Sequence, residues 1–199
     1  MYKSYFKRIA DYISIIILLV PAIILFCIVI LLFVLFDRLP VFYCAKRLGK
    51  NGVPFTMYKL RTMIVNAPDI RLPDGSTYNS DDDPRLTKVG KLFRKTSIDE
   101  LPQLYNILKG DMSFIGPRPD PLDWLDKYSD EERIFLSVRP GITGYNQAYF
   151  RNLADGKAKI LNDVFYAKNI SFKLDMKILF KTIKTVTLRE NINVEKERI

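Results

Sequence analysis

The sequence predicts an α+β protein that is mostly helical. An apolar N-terminal helix precedes a small, compact, charged domain with amphipathic helices and one minor β-hairpin. Three observations predict this. Ile13 to Phe36 is apolar apart from Ser14 and Pro21. Two short strand-like runs within Val41–Met63 flank the turn signal Lys50-Asn51-Gly52. Near the C-terminus, Met176, Leu179, Phe180, Ile183 and Val186 recur at helical spacing, with Lys173, Lys177, Lys181 and Lys184 on another face. Such a basic amphipathic helix either packs on the domain or lies at a membrane surface.

The apolar run has 24 residues, and about 20 suffice to cross a bilayer. It is longer than the apolar region of a signal peptide, and no small-residue cleavage site follows it. Lys3, Lys7 and Arg8 precede it, and Arg38, Lys46 and Arg47 follow. Basic flanks on both sides give the positive-inside rule no preferred orientation. Pro21 removes an internal hydrogen bond and bends the axis. Spanning and re-entrant paths both stay open on this reading.

The formal charge is +9, and Lys3, Lys7 and Arg8 against Asp11 leave +7 of it on residues 37–199. A basic domain beside an apolar segment suits an anionic phospholipid surface and phosphate-bearing ligands. The basic residues are scattered and no nucleic-acid motif appears, so no nucleic-acid partner is expected. The chain has no histidine, which excludes Ser-His-Asp and Cys-His catalysis and His-based zinc sites. Cys27 and Cys44 suggest no disulfide, and hence a domain facing a reducing cytoplasm.

Beyond the hairpin, Ala67–Thr87 is rich in Pro, Gly, Asp and Ser and reads as an exposed loop. Its Asp81-Asp82-Asp83 run reads as a solvated turn rather than a cation site. A helix is expected over Leu86–Arg94, and another led by Asp99-Glu100 and stopping at Lys109-Gly110. Ser129 and Glu132 have capping-box spacing and should start a further helix. Arg139–Gly144 reads as a turn. No internal repeat is visible.

The Asp99-Glu100 pair needs an explanation, because adjacent residues on a regular helix do not share a face. Ser97 and Glu100 have the spacing of a capping box. Alternatively Asp99 is the N-cap, which places Pro102 in the first turn, where no amide hydrogen is needed. The second arrangement is preferred. A helix start also offers free amides and positive potential to a phosphate. Arg94, Lys95 and Arg118 would add cations, which should lower the pKa of Asp99. Arg118 lies between two prolines, so its planar fork is aimed at an anion at little entropic cost; the plainer alternative is a surface salt bridge. Two carboxylates among cations and phosphates suit Mg²⁺, a hard ion with oxygen ligands.

Several segments together resemble the bacterial sugar transferases, the monotopic phosphoglycosyl transferases. They are Lys7-Arg8 with Asp11, Lys59–Met63, the long block Asp83–Pro119, Arg139–Gly144, Arg151-Asn152 and Leu174–Ile183. The resemblance covers nearly the whole chain, whose length resembles the minimal form without extra membrane helices or a fused enzyme. It implies a re-entrant membrane helix over 1–38, a catalytic domain over 39–188 and a polar tail over 189–199. It places the protein at the cytoplasmic face of the bacterial inner membrane. The family usually breaks its helix at Ser-Pro, where this chain has Val20-Pro21.

The implied reaction moves a phosphosugar from a UDP-sugar to a polyprenol phosphate, such as undecaprenyl phosphate. UMP is released and a covalent phosphosugar-aspartate forms on the way. Asp99 would be the nucleophile and Glu100 its partner, both holding Mg²⁺. Arg94 and Arg118 would contact phosphates and Arg151 would lie near the nucleotide, with Lys59 and Arg61 as further substrate-binding residues. A homodimer is compatible with this reading. Its rival is a catalytically inactive, membrane-anchored binding protein built on the same core.

Overall fold

The computed structural model describes residues 2–37, 39–71, 78, 80, 82–150 and 156–188. Arg151 and Asn152, Asp81, and the expected tail 189–199 lie outside the described residues. The apolar run forms one helix, α1 (Lys7–Phe36), entered through a π-turn at Tyr2–Phe6 and continuous through Pro21. The proline lacks an amide hydrogen, so the carbonyl of Ile17 loses its helical donor there.

Both ends of α1 pack on the same domain. At the N-terminal end, Lys7 Nζ donates to Asp175 at 2.6 Å. Arg8 donates to the carbonyl of Leu108 at 3.2 Å. Asp11 accepts from Ser113 Oγ at 3.0 Å and from the Phe114 amide at 3.1 Å. Ile15 packs in a cluster with Phe55, Met57, Ile107 and Met112. Towards the C-terminal end, Val29 and Phe33 are buried with Val41, Leu60 and Phe93, and Asp37 accepts from Thr87 Oγ1 at 2.5 Å. Between these anchors, Ile16 to Pro21 is exposed on every face.

The expected hairpin forms from β1 (Phe42–Leu48) and β2 (Pro54–Leu60), antiparallel, with Phe42 opposite Leu60 and Leu48 opposite Pro54. The expected helix at Leu86–Arg94 appears as α2 (Lys88–Thr96), and the Thr87 side chain accepts from the Gly90 amide as N-cap. Gly90 sits directly against the Thr62 backbone, and a β-carbon there would collide with the Thr62 carbonyl. α3 (Gln103–Lys109) ends at Gly110, whose φ of 97° supplies the left-handed stop.

Two expectations change. Ser129 and Glu132 do exchange reciprocal capping bonds, but they open a 3-10 turn over Glu132–Ser137 rather than an α-helix. The expected turn at Arg139–Gly144 contains a strand, β4 (Gly141–Thr143), which pairs in parallel with β3 (Ser113–Ile115). A three-residue strand is too short for a period-2 signal to register in sequence.

Three helices complete the chain: α4 (Tyr145–Tyr149), α5 (Gly156–Asn169) and α6 (Phe172–Leu188). The largest core cluster joins Ile115, Trp124, Tyr128, Phe135, Tyr166 and Ile178. α6 turns its polar side to it. Asp175, Ile178 and Thr185 are buried, while Phe180, Ile183 and Val186 are 68, 55 and 43% exposed. The inward polar groups are satisfied. Asp175 receives Tyr2, Lys7 and Tyr166, and Thr182 pairs with Thr143 at 2.8 Å. A bonded polar face can therefore be buried, and the apolar stripe is left outside.

Candidate active site

Asp99 and Glu100 lie in a short 3-10 turn, Ile98–Glu100, between α2 and α3. Ser97 creates the turn. It closes α2 in the left-handed conformation, with φ 58°, and its amide donates back to Phe93 and Arg94. The chain then doubles towards β2. This corrects the expected cap: Asp99 does not cap α3, whose N-cap position is Pro102. The amides of Glu100 and Leu101 bond to the carbonyls of Ser97 and Ile98. They are closed off within the turn and do not face a phosphate.

The adjacency of the two acids acquires a geometric reason here. In a 3-10 turn beside a strand end, neighbouring side chains converge on one cation. Lys59, the penultimate residue of β2, places Nζ 2.6 Å from Glu100 Oε1 and 3.8 Å from Asp99 Oδ2. Arg118 Nη1 adds a contact to the same Glu100 oxygen at 3.4 Å. Arg118 follows β3 in the Gly116-Pro117-Arg118-Pro119 segment, and its side chain is half exposed.

The two carboxylates therefore differ. Burial pushes Glu100 up, but Lys59 and Arg118 outweigh it and hold this carboxyl down at about 2. Asp99 accepts no hydrogen bond among the described residues. Burial raises its pKa, and the attraction of Lys59 opposes this only in part, with Glu100 pushing it further up. The expectation that surrounding cations lower the pKa of Asp99 is thus reversed, because burial outweighs their pull.

Other predicted residues fall at varying distances from this centre. Arg94, in the last turn of α2, donates to Thr62 Oγ1 at 3.0 Å and exerts a Coulombic pull on Asp99. Arg61 is turned away. It is buried and donates to the carbonyls of Pro40, Met63 and Asp37 at 2.7, 3.2 and 2.9 Å. Arg61 thereby latches the exit of α1 to the end of β2. Arg151 lies outside the described residues.

Asn106 is a supporting residue that sequence reasoning missed. It is fully buried in α3. Its Oδ1 accepts from the Tyr58 amide at 3.1 Å, and its Nδ2 donates to Thr56 O at 2.8 Å. These bonds fix β2, and so Lys59, against the turn that carries Asp99. The available signal was an amide side chain between Tyr105 and Ile107 in a short helix whose other polar residues are at its ends.

The donor set fits a magnesium ion in one limited way. No group of three or more acids, cysteines or histidines stands together among the described residues, so there is no all-protein cage. Two adjacent carboxylates do suit Mg²⁺, which commonly takes one or two carboxylates and completes its shell with substrate phosphates and water. Asp99 and the free Glu100 oxygen would be its protein ligands.

Residues 2–189 match the family model described as bacterial sugar transferase. The chain belongs to that family. It is 47% identical over 153 residues to the uncharacterised sugar transferase EpsL of Bacillus subtilis, covering 77% of this chain and 73% of that protein. It is 40% identical over 165 residues to an undecaprenyl-phosphate galactose phosphotransferase of Salmonella typhimurium, covering 77% of this chain and 35% of that one. An N-acetylgalactosaminephosphotransferase of Aeromonas hydrophila, named for UDP-N-acetylgalactosamine and undecaprenyl phosphate, is 42% identical over 153 residues, which cover 74% of this chain and 35% of its own. The sugar transferase thus spans about a third of the length of the two relatives with named substrates.

Proposed function

We propose that this sugar transferase moves a phosphosugar from a UDP-sugar to undecaprenyl phosphate or a similar polyprenol phosphate, through a covalent intermediate on Asp99. The observation that carries the proposal is the unequal pair: Glu100 neutralised by Lys59 and Arg118, and Asp99 beside it without a hydrogen bond. An ionised carboxylate that is poorly solvated and unbonded is the better nucleophile.

Asp99 attacks the sugar-bearing phosphorus. The bond from that phosphorus to the bridging oxygen breaks, and UMP leaves with the electron pair. An oxygen of the polyprenol phosphate then attacks the same phosphorus and displaces Asp99, giving the polyprenyl diphosphate sugar. Arg118 and Lys59 balance charge on the phosphoryl oxygens, and Arg94 adds positive potential behind Asp99. Mg²⁺, held by Asp99 and Glu100, would supply further charge neutralisation of the diphosphate. The names of the Salmonella and Aeromonas relatives support the lipid acceptor and the nucleotide-sugar donor.

We further infer that α1 is re-entrant and that the domain lies on the cytoplasmic face. Support comes from the anchoring of residues 7–15 and 29–37 on one domain, whereas a spanning helix would separate its ends by a bilayer. The exposed stripe of α6, flanked by lysines, suits an anionic phospholipid surface. To test the path, Cys27 and Cys44 are replaced and single cysteines are introduced at Lys3 or Leu39. Both should resist an impermeant periplasmic thiol reagent in intact cells; labelling of one alone would mean that α1 spans.

The chemistry is tested by mixing stoichiometric enzyme with each of a panel of UDP-sugars and no lipid. The expected result is a burst of UMP and a mass increase of one phosphosugar on Asp99. A requirement for both substrates before any UMP appears would replace the covalent route with direct transfer.

A further inference from the structure

Arg47 lies near the end of β1, opposite Phe55 of β2. Directly opposed residues of an antiparallel pair share a face, as do residues two apart along a strand. The pairs Tyr43–Lys59, Ala45–Met57 and Arg47–Phe55 therefore occupy one face of the hairpin. Lys59, at one end of that face, holds the two carboxylates. Arg47, at the other end, is half-buried and makes no hydrogen bond or ion pair among the described residues.

The surroundings of Arg47 explain why it has no partner. The next residue, Leu48, donates its amide to the carbonyl of Asp120 at 2.9 Å. This bond ties the end of β1 to the segment that carries Arg118. The local acid, Asp120, is already engaged: both its oxygens accept from Lys159 at 2.6 Å, and one accepts from Tyr128 at 2.7 Å. Burial disfavours the charged form of Arg47, and repulsion from Arg118 and Arg71 adds to it against the attraction of Tyr43 and Asp120. A guanidinium remains charged in such a setting, so an anion is the ligand that relieves it.

We propose that Arg47 is a phosphate-binding residue of the site, forming with Arg118 a two-arginine cradle beside the reacting phosphorus. The proposal rests on the function argued above. Arg118 faces Glu100 and hence the reacting group, so Arg47 would take the neighbouring phosphate. Two sources carry that chemistry: the nucleotide phosphate that departs in UMP, and the polyprenol phosphate that enters.

The test uses the full chain in detergent, as wild type, Arg47→Gln and Arg47→Lys. Arg47 makes no hydrogen bond or ion pair among the described residues, so both variants should fold, as circular dichroism would verify. Calorimetry with inorganic diphosphate should show binding weakened about ten- to hundredfold in Arg47→Gln. Arg47→Lys should recover only part of it, because it keeps the charge and loses the fork. A matching loss for UMP and a raised KM for the UDP-sugar would assign the nucleotide phosphate. A raised KM for polyprenol phosphate alone would assign the acceptor. Diphosphate binding and both KM values within about twofold of wild type in Arg47→Gln would overturn the proposal. Arg47-dependent diphosphate binding in a protein that turns over no UDP-sugar would keep this anion site and overturn the function.

Discussion

Two places in this molecule set one lysine between two carboxylates, and they reach opposite ends. Lys59 lies 2.6 Å from Glu100 and 3.8 Å from Asp99. Lys159 lies 2.6 Å from Asp120 and 3.9 Å from Asp163. In each, the lysine commits to one acid, and burial raises the pKa of the other. The difference lies in access. The Asp99 side chain is 11% exposed and has the half-exposed Arg118 close by. The Asp163 side chain is 1% exposed, and both its oxygens are buried without a hydrogen bond. An unbonded carboxylate becomes a candidate nucleophile only where a substrate can reach it; sealed, the same arrangement is a stability liability.

The largest effect should separate these two acids. Asp99→Asn is expected to abolish the UMP burst and the phosphosugar adduct, with turnover lower by a factor on the order of 10⁴ or more. Asp163→Asn should keep the burst amplitude. Mass spectrometry of the isolated protein reads both, and an adduct on Asp99→Asn would remove Asp99 as nucleophile.

Metal removal comes next. Of the two pairs, the Asp99 pair is the one whose oxygens an ion can reach, because both Asp120 oxygens are filled by Lys159 and those of Asp163 are sealed. Excess chelator should reduce turnover to background and Mg²⁺ should restore it. Full activity in chelator would leave Asp99 and Glu100 without a metal role.

Arg118→Lys should show a smaller loss, about ten- to hundredfold in kcat/KM, with little change in thermal stability. The half-exposed pair with Glu100 contributes little to folding, whereas the planar fork matters to a phosphate. Activity within about twofold of wild type would return Arg118 to a surface salt bridge.

Legibility in the sequence followed the range of the interaction. The hairpin was readable because Asn51 and Gly52 mark a local turn, and α2 was expected as a helix, though its Thr87 cap, which starts it two residues later than expected, was not. Asp99, Glu100 and Arg118 drew attention through the long block Asp83–Pro119, and Lys59 through the separate segment Lys59–Met63. What was hidden depends on distant partners. Arg61 was expected among the substrate-binding residues, yet its donors meet Pro40 and Asp37. The stripe on α6 was open between packing on the domain and lying at a membrane surface, and the choice rests on Asp175 meeting Lys7, 168 residues away. The direction of the Asp99 shift was hidden for the same reason: it turns on burial, which depends on the whole fold and outweighs the pull of Lys59.

The smallest effect tests the sealed side of the comparison by pH. Burial raises the Asp163 pKa from 3.8 to about 7; Lys159 lowers it and Asp120 raises it, and burial prevails. The folded state therefore binds the proton more tightly than the unfolded chain. The stability contributed by protonated Asp163 is fully present below about pH 4 and is lost as pH rises through about 7. At one pKa unit per 1.4 kcal/mol, the penalty above pH 7 is on the order of 4 kcal/mol. Asp163→Asn removes the charge but leaves a buried amide to satisfy, which costs about 1–3 kcal/mol, so the net gain at pH 8.5 is small. The variant should melt a few degrees above wild type at pH 8.5, and the difference should vanish or reverse by about pH 5. Other titrating groups cancel in this comparison, because both proteins share them. A Tm difference that stays constant across that range would mean that Asp163 is already charged in the folded protein at pH 5, its pKa not raised. The likeness to the Lys59 site would then end at distances.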